Sequence, residues 1–264
     1  GNSLINESSI SIAGGFGKVV LGGNDGAGED YGVAATDLPG EEIYATGTDE
    51  LTLTKPDISA MSGDANKISY HLPAMGGLTA GASFANSGPT GATDTTAFGA
   101  KYTMSAGGAT ITIGAATATT EAASQDTDSQ VMGIKVSSGN ITAAVSQSTY
   151  EAAAVAFKAG TASSTTKARV APITAMDKAD EESTGAAVSF KVNDGMTITV
   201  HTAETDDGQT TESYSNSGIE IAYTVAPGLK ATINVEDYDY KAGNSTGNTD
   251  NAGTASKLTI KASF

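Results

Sequence analysis

Apolar and polar residues alternate along most of this chain, and the alternating stretches end at clusters of Gly, Pro, Asn, Asp and Ser. Period two marks a β-strand with one face in an apolar medium. The last nine residues show it plainly. Leu258, Ile260, Ala262 and Phe264 fall on one side, and Lys257, Thr259, Lys261 and Ser263 on the other. The same pattern predicts strands at 8–14, 17–23, 66–73, 77–86, 95–106, 109–121, 129–138, 140–151, 184–193, 196–206, 217–226, 229–241 and 254–264. Tight turns are predicted at 14–16, 73–77, 106–108, 138–140, 193–195 and 226–228. Longer polar connections lie between them at 24–65, 87–94, 122–128, 152–183, 207–216 and 242–253.

Short and long joins therefore alternate strictly. A sandwich with Greek-key crossovers mixes them irregularly. A meander that crosses a membrane places its tight turns on the periplasmic side and its long loops outside. The chain is expected to be all-β, a transmembrane antiparallel up-and-down β-barrel, with residues 1–264 forming one domain. Single-chain bacterial barrels have even strand numbers, and an open edge in lipid strands backbone donors and acceptors. The expectation is therefore about sixteen strands, with the N-terminal ones absent from this chain.

Alternation also assigns the faces. Ile68, Tyr70, Phe84, Phe98, Ile113, Ile134, Val145, Val188, Phe190, Val200 and Ile233 share the apolar side. Lys18, Lys67, His71, Lys101, Lys135, Lys191, His201, Lys230, Lys257 and Lys261 share the other, among Thr, Ser and Gly. A lysine on the lipid face near the bilayer midplane costs about 2–4 kcal/mol, so the charged face is the lumen.

Composition narrows the choice less. The formal net charge is −16, Cys is absent, and Arg169 is the one arginine. Nucleic-acid binding, which relies on clustered Lys and Arg, is excluded. Recurrent ordered alternation excludes a disordered acidic chain. An acidic surface-layer or adhesin β-sandwich shares the composition, and the connection lengths together with the final strand ending on Phe264 argue against it. No apolar run reaches the roughly 18 residues of a membrane-spanning helix, which a barrel does not need.

The run Gly15-Phe-Gly-Lys-Val-Val-Leu-Gly22, a long acidic segment and Asn66-Lys-Ile-Ser-Tyr-His-Leu-Pro73 follow one another in an order and spacing that resembles the general diffusion porins of Gram-negative bacteria. The resemblance implies a sixteen-stranded, homotrimeric outer-membrane channel surrounded by lipid, through which ions and small hydrophilic solutes diffuse passively without enzymatic chemistry. It identifies 24–65 as the loop that folds into the barrel and narrows the pore. The ending on Phe264 is similar to the C-terminal signal read by the barrel-assembly machinery. Family members often carry Arg where this chain has Val20 and Gly23, which implies a wall thinner in positive charge.

The 24–65 segment carries Asp25, Glu29, Asp30, Asp37, Glu41, Glu42, Asp49, Glu50, Asp57 and Asp64 against Lys55 alone. Structureless connections longer than about 12–15 residues are commonly functional. Glu29, Asp30, Asp37, Glu41, Glu42, Asp49 and Glu50 are the candidate constriction acids. They would face pore-wall Lys18, Lys67, His71, Lys101, Lys135, Lys191, Lys230, Lys257 and Lys261 across a narrow water passage. Weak cation selectivity is expected. A substrate-specific channel is the rival, and Tyr238 and Tyr240 are its aromatic candidates. The Ala-rich segment 152–183 is read as a long extracellular loop.

Other chemistry finds little support. His71 and His201 stand on separate strands without ligand spacing around them. No nucleophile elbow, P-loop or dinucleotide fingerprint occurs. No cofactor is expected beyond calcium, for which Asp25, Glu29 and Asp30, and separately Glu204, Asp206, Asp207 and Asp237, offer oxygen ligands without an EF-hand spacing.

Overall fold

A computed structural model describes residues 8–35, 38, 66–86, 93–122, 126–152, 180–207, 211, 213–242 and 250–263. Thirteen strands and one short helix follow in chain order: β1 (Ser9–Gly14), β2 (Gly17–Gly23), α1 (Ala27–Tyr31), β3 (Asn66–His71), β4 (Leu78–Asn86), β5 (Thr93–Ala106), β6 (Ala109–Ala122), β7 (Thr127–Ser138), β8 (Ile141–Ala152), β9 (Asp180–Asn193), β10 (Met196–Asp207), β11 (Ser213–Ala226), β12 (Leu229–Lys241) and β13 (Asn251–Ala262). The strands form one sheet in sequence order, and each neighbouring pair is antiparallel. All thirteen predicted strands are present. The β5–β6 turn has both glycines in the left-handed region, Gly107 at φ 58° and Gly108 at φ 83°, the conformation a two-residue hairpin needs to match strand twist.

The strands run further on their long-loop side than the pattern predicted. β9 begins at Asp180 rather than 184, and β11 at Ser213 rather than 217. Backbone pairing continues there while the apolar period stops. Asp180 and Glu182 occupy the outward positions of β9 and pair with Glu151 and Thr149 of β8. Outward acids also end the apolar band on other strands. Asp94 stands opposite Glu121, Asp128 opposite Glu151, and Glu182 opposite Asp206.

The register confirms the two faces. Ile113, Ile134 and Val145 lie side by side on β6, β7 and β8. Ile68, Phe84, Phe98, Val188 and Ile233 share that outward face, and all are exposed. Most residues buried on the strands are instead small or polar, such as Ser69, Ala97, Ser146, Thr199 and Asn234. A large exposed apolar surface is a liability in water. In lipid it is the matching surface, and the polar face becomes the interior.

Candidate pore constriction

The segment that follows β2 turns inward and runs across the polar face of the sheet. Ser69 Oγ on β3 donates to Asn24 Oδ1 at 2.7 Å, and Ala27 N donates to Ser83 Oγ on β4 at 2.9 Å. α1 then crosses β5 and β6. The chain reaches β8, where Ala35 N donates to Ser146 Oγ at 2.9 Å, and Ala35 buries with Ala144 and Ala187 of β8 and β9 in a cluster against which Leu38 packs.

A path of glycines makes room for it. Gly81 and Gly99 are direct partners across β4 and β5, and Gly114 and Gly133 across β6 and β7. A Cβ on Gly81 would lie 2.7 Å from Tyr31 Cε2, and one on Gly99 2.6 Å from the Ala27 carbonyl oxygen. Cβ atoms on Gly114 and Gly133 would strike the carbonyls of Tyr31 and Val33. Beside this path Ala27, Tyr31 and Ala34 bury against Ala97, Ala116, Ala118 and Val131. The small inner-face residues that alternation required are the seat of the inward segment.

Charge gathers at α1. The Tyr31 hydroxyl donates to His71 Nδ1 at 2.8 Å, in the tautomer that leaves Nδ1 bare, and Asp30 Oδ2 stands 3.9 Å from the same nitrogen. Lys101 Nζ donates to the Asp30 carbonyl at 2.9 Å and lies 5.9 Å from the Tyr31 ring centroid. Lys18 faces His71 directly across β2 and β3. Burial raises the Asp30 carboxyl above the usual carboxylate range. His71, Lys101 and Lys18 pull it down, while Asp25 adds to the rise. Burial, followed by the charge on Asp30, raises the Tyr31 phenol.

All nine predicted pore-wall residues occupy the inner face by register. Lys18, His71 and Lys101 meet at α1. Lys135 sits one inward step from Gly133, and Lys67 is buried on β3. Lys191, Lys230, Lys257 and Lys261 belong to β9, β12 and β13 and are not brought to α1. Glu29 and Asp30 are on α1. The predicted constriction acids Asp37, Glu41, Glu42, Asp49 and Glu50 and the assembly signal Phe264 lie outside the described residues, as does 153–179 of the predicted extracellular loop. Val20 pairs with Ser69 on the inner face, whereas Gly23, paired with Asn66, has the outward parity. Of those two expected sites of lost wall charge, only Val20 lines the wall.

Four carboxylates, of which the sequence reading gave a role only to Asp207 and that as a calcium ligand, are wall residues. Glu181, Asp207, Glu220 and Glu236 all face the interior from β9–β12 and are buried. Glu236 Oε1 stands 3.3 Å from His201 Nε2, above Gly218. Alternation with Ile219, Ile221 and Val235 carried the signal for Glu220 and Glu236, whereas Glu181 and Asp207 stand among other acids. Among the described strand residues, β1–β8 bring only basic charge inward, and acids enter at β9. The aromatic candidates Tyr238 and Tyr240 pack with Tyr214 and are at most 7 % exposed. No group of three or more His, Asp or Glu among the described residues is placed to hold a metal. Glu204, Asp206 and Asp237 face outward while Asp207 faces inward, so that calcium set does not converge.

The family model of the Gram-negative porins matches residues 1–243. The chain belongs to that family. The porin is accordingly an outer-membrane channel protein. No curated protein sequence matches it. Among solved structures it is similar to the anion-selective porin of Comamonas acidovorans, at 16% identity over 97% of this chain and 76% of that one, with a TM-score of 0.54. It is also similar to OccAB4 of Acinetobacter baumannii, at 13% identity over 97% and 64% of the two chains and a TM-score of 0.62. A trimer form of OmpT of Vibrio cholerae is similar at 11% identity, 98% and 79% coverage and a TM-score of 0.60. These likenesses establish the outer-membrane β-barrel fold that the porin shares.

Proposed function

We propose that this porin is a channel for passive diffusion of ions and small hydrophilic solutes, narrowed by residues 24–65. The observation that carries the reading is the course of residues 24–35 across the inner face, seated on Gly81, Gly99, Gly114 and Gly133. A segment held there takes space from the water passage without blocking the sheet's pairing. Basic wall under α1 and carboxylates on β9–β12 set up a transverse field, which orders water and penalises apolar solutes. The rival reading, a substrate-specific channel with an aromatic path, loses support because Tyr214, Tyr238 and Tyr240 pack against one another.

Selectivity leans weakly towards cations. Asp25, Glu29 and Asp30 enter with the loop, the inward acids of β9–β12 add to them, and Val20 contributes no charge. The anion-selective relative shares the fold at low identity and sets no sign for this chain. The trimeric relative favours a homotrimer. Reversal potentials in a KCl gradient across planar bilayers test the reading: a modest cation preference supports it, and clear anion preference contradicts it.

A further inference from the structure

His71 sits on the seam between wall and inward segment. Histidine is the side chain whose charge changes between about pH 5 and 8. α1 presents Asp30 and Tyr31 to it, β2 presents Lys18, and β4 presents Gly81, which carries no charge. Lys101 of β5 lies beyond Tyr31, and Asp25 acts on Asp30. In the neutral ring with its proton on Nε2, Nδ1 accepts from the Tyr31 hydroxyl. In the protonated ring Nδ1–H must donate, and the better acceptor is the Asp30 carboxylate, about 1 Å short of charge-assisted hydrogen-bond distance.

We propose that His71 is the positioning residue of the constriction and makes it respond to pH, its Nδ1 passing from Tyr31 to Asp30 on protonation. The inference rests on reading 24–65 as the constriction. Acidification adds a positive charge at the seam, withdraws the Asp30 charge from the passage and draws α1 onto the wall. Cation preference and conductance both fall.

Two measurements test it. In planar bilayers the cation-to-anion permeability ratio is compared at about pH 8 and about pH 5.5. The wild type should show a drop of about twofold or more, absent in His71→Gln and retained in His201→Gln. Gln keeps an acceptor for Tyr31. Tyr31→Phe, which removes only the neutral-state bond, should raise conductance at the higher pH alone. A full drop surviving in His71→Gln, or vanishing in His201→Gln instead, overturns the proposal.

The second measurement does not need conduction. Because the chain has two histidines, His201→Gln leaves His71 as the sole imidazole signal in ¹⁵N NMR of the detergent-solubilised porin. The neutral ring should carry its proton on Nε2, and Asp30→Asn should weaken proton binding about threefold, as for a partly exposed ion pair. A proton on Nδ1, or no effect of Asp30→Asn, overturns the latch. Loss of channel activity with this signature intact would count against the channel reading alone.

Discussion

Gly99 lies directly beneath Tyr31: a Cβ at that position would sit 2.7 Å from Tyr31 Cβ and 2.6 Å from the Ala27 carbonyl oxygen. Neither neighbour is the far end of a flexible chain, so α1 itself has to move. Gly99→Ala should cost about 1–3 kcal/mol of seating, typical of overpacking. Single-channel recordings should show increased conductance as the segment lifts. Unchanged conductance would mean that α1 does not bear on this strand.

The two faces of β6 make a matched test of orientation. Ile113 faces outward beside Ile134, and Thr112 faces inward beside Lys135. Ile113→Lys should lower stability by about 2–4 kcal/mol when near the bilayer midplane, whereas Thr112→Lys should be nearly neutral. Urea titrations of the folded barrel in lipid check this. Equal penalties would contradict the assignment of lumen and lipid faces.

Neutralising Glu41 and Glu42 together should reduce cation preference more than neutralising Asp207 and Glu212. On the proposed reading the first pair belongs to the constriction segment, whereas Asp207 ends β10 and Glu212 follows it in sequence. Reversal potentials of the two double variants decide, and equal effects would remove 24–65 from the constriction.

Asp30 gives a pH-dependent prediction. Its carboxyl is raised chiefly by burial, so the folded state holds the proton more tightly than the unfolded chain. The stability it contributes is present below the ordinary carboxylate range and is lost as pH rises through the raised value. Asp30→Asn should therefore raise the urea midpoint at neutral pH, with the gain shrinking towards about pH 4. A gain that grows on acidification would contradict the burial argument.

Much of this architecture is written in the sequence because lipid imposes a rule on every second residue. Ile113 and Ile134 have to be apolar, Lys101 and Lys135 cannot share their face, and the strand count follows. The extra length of β9 and β11 was illegible because Asp180, Glu182 and Ser213 pair in the sheet beyond the apolar band, where alternation has no physical cause. The lysines of the wall were readable one by one. That Lys18, His71 and Lys101 converge while Lys257 and Lys261 do not depends on register between strands distant in sequence. The glycine path was hidden for the same reason. Gly81, Gly99, Gly114 and Gly133 look like scattered small residues until pairing sets them in a row. Glu220 was legible by parity alone, since it sits between outward Ile219 and Ile221, and Glu236 by its place after outward Val235.

The segment after β2 crosses the interior and reaches the wall at β8, and a cross-link reads that course directly. The chain contains no cysteine, so a pair can be introduced at two contacting positions, Ala35→Cys and Ser146→Cys, whose parent residues share a 2.9 Å hydrogen bond. Mild oxidation in intact outer membranes followed by denaturing electrophoresis reads the cross-link directly. A disulfide should form at 35–146 and none in a control pair at 35 and Ser11 on β1. Absence of the 35–146 cross-link, in a barrel that otherwise assembles, would contradict that course.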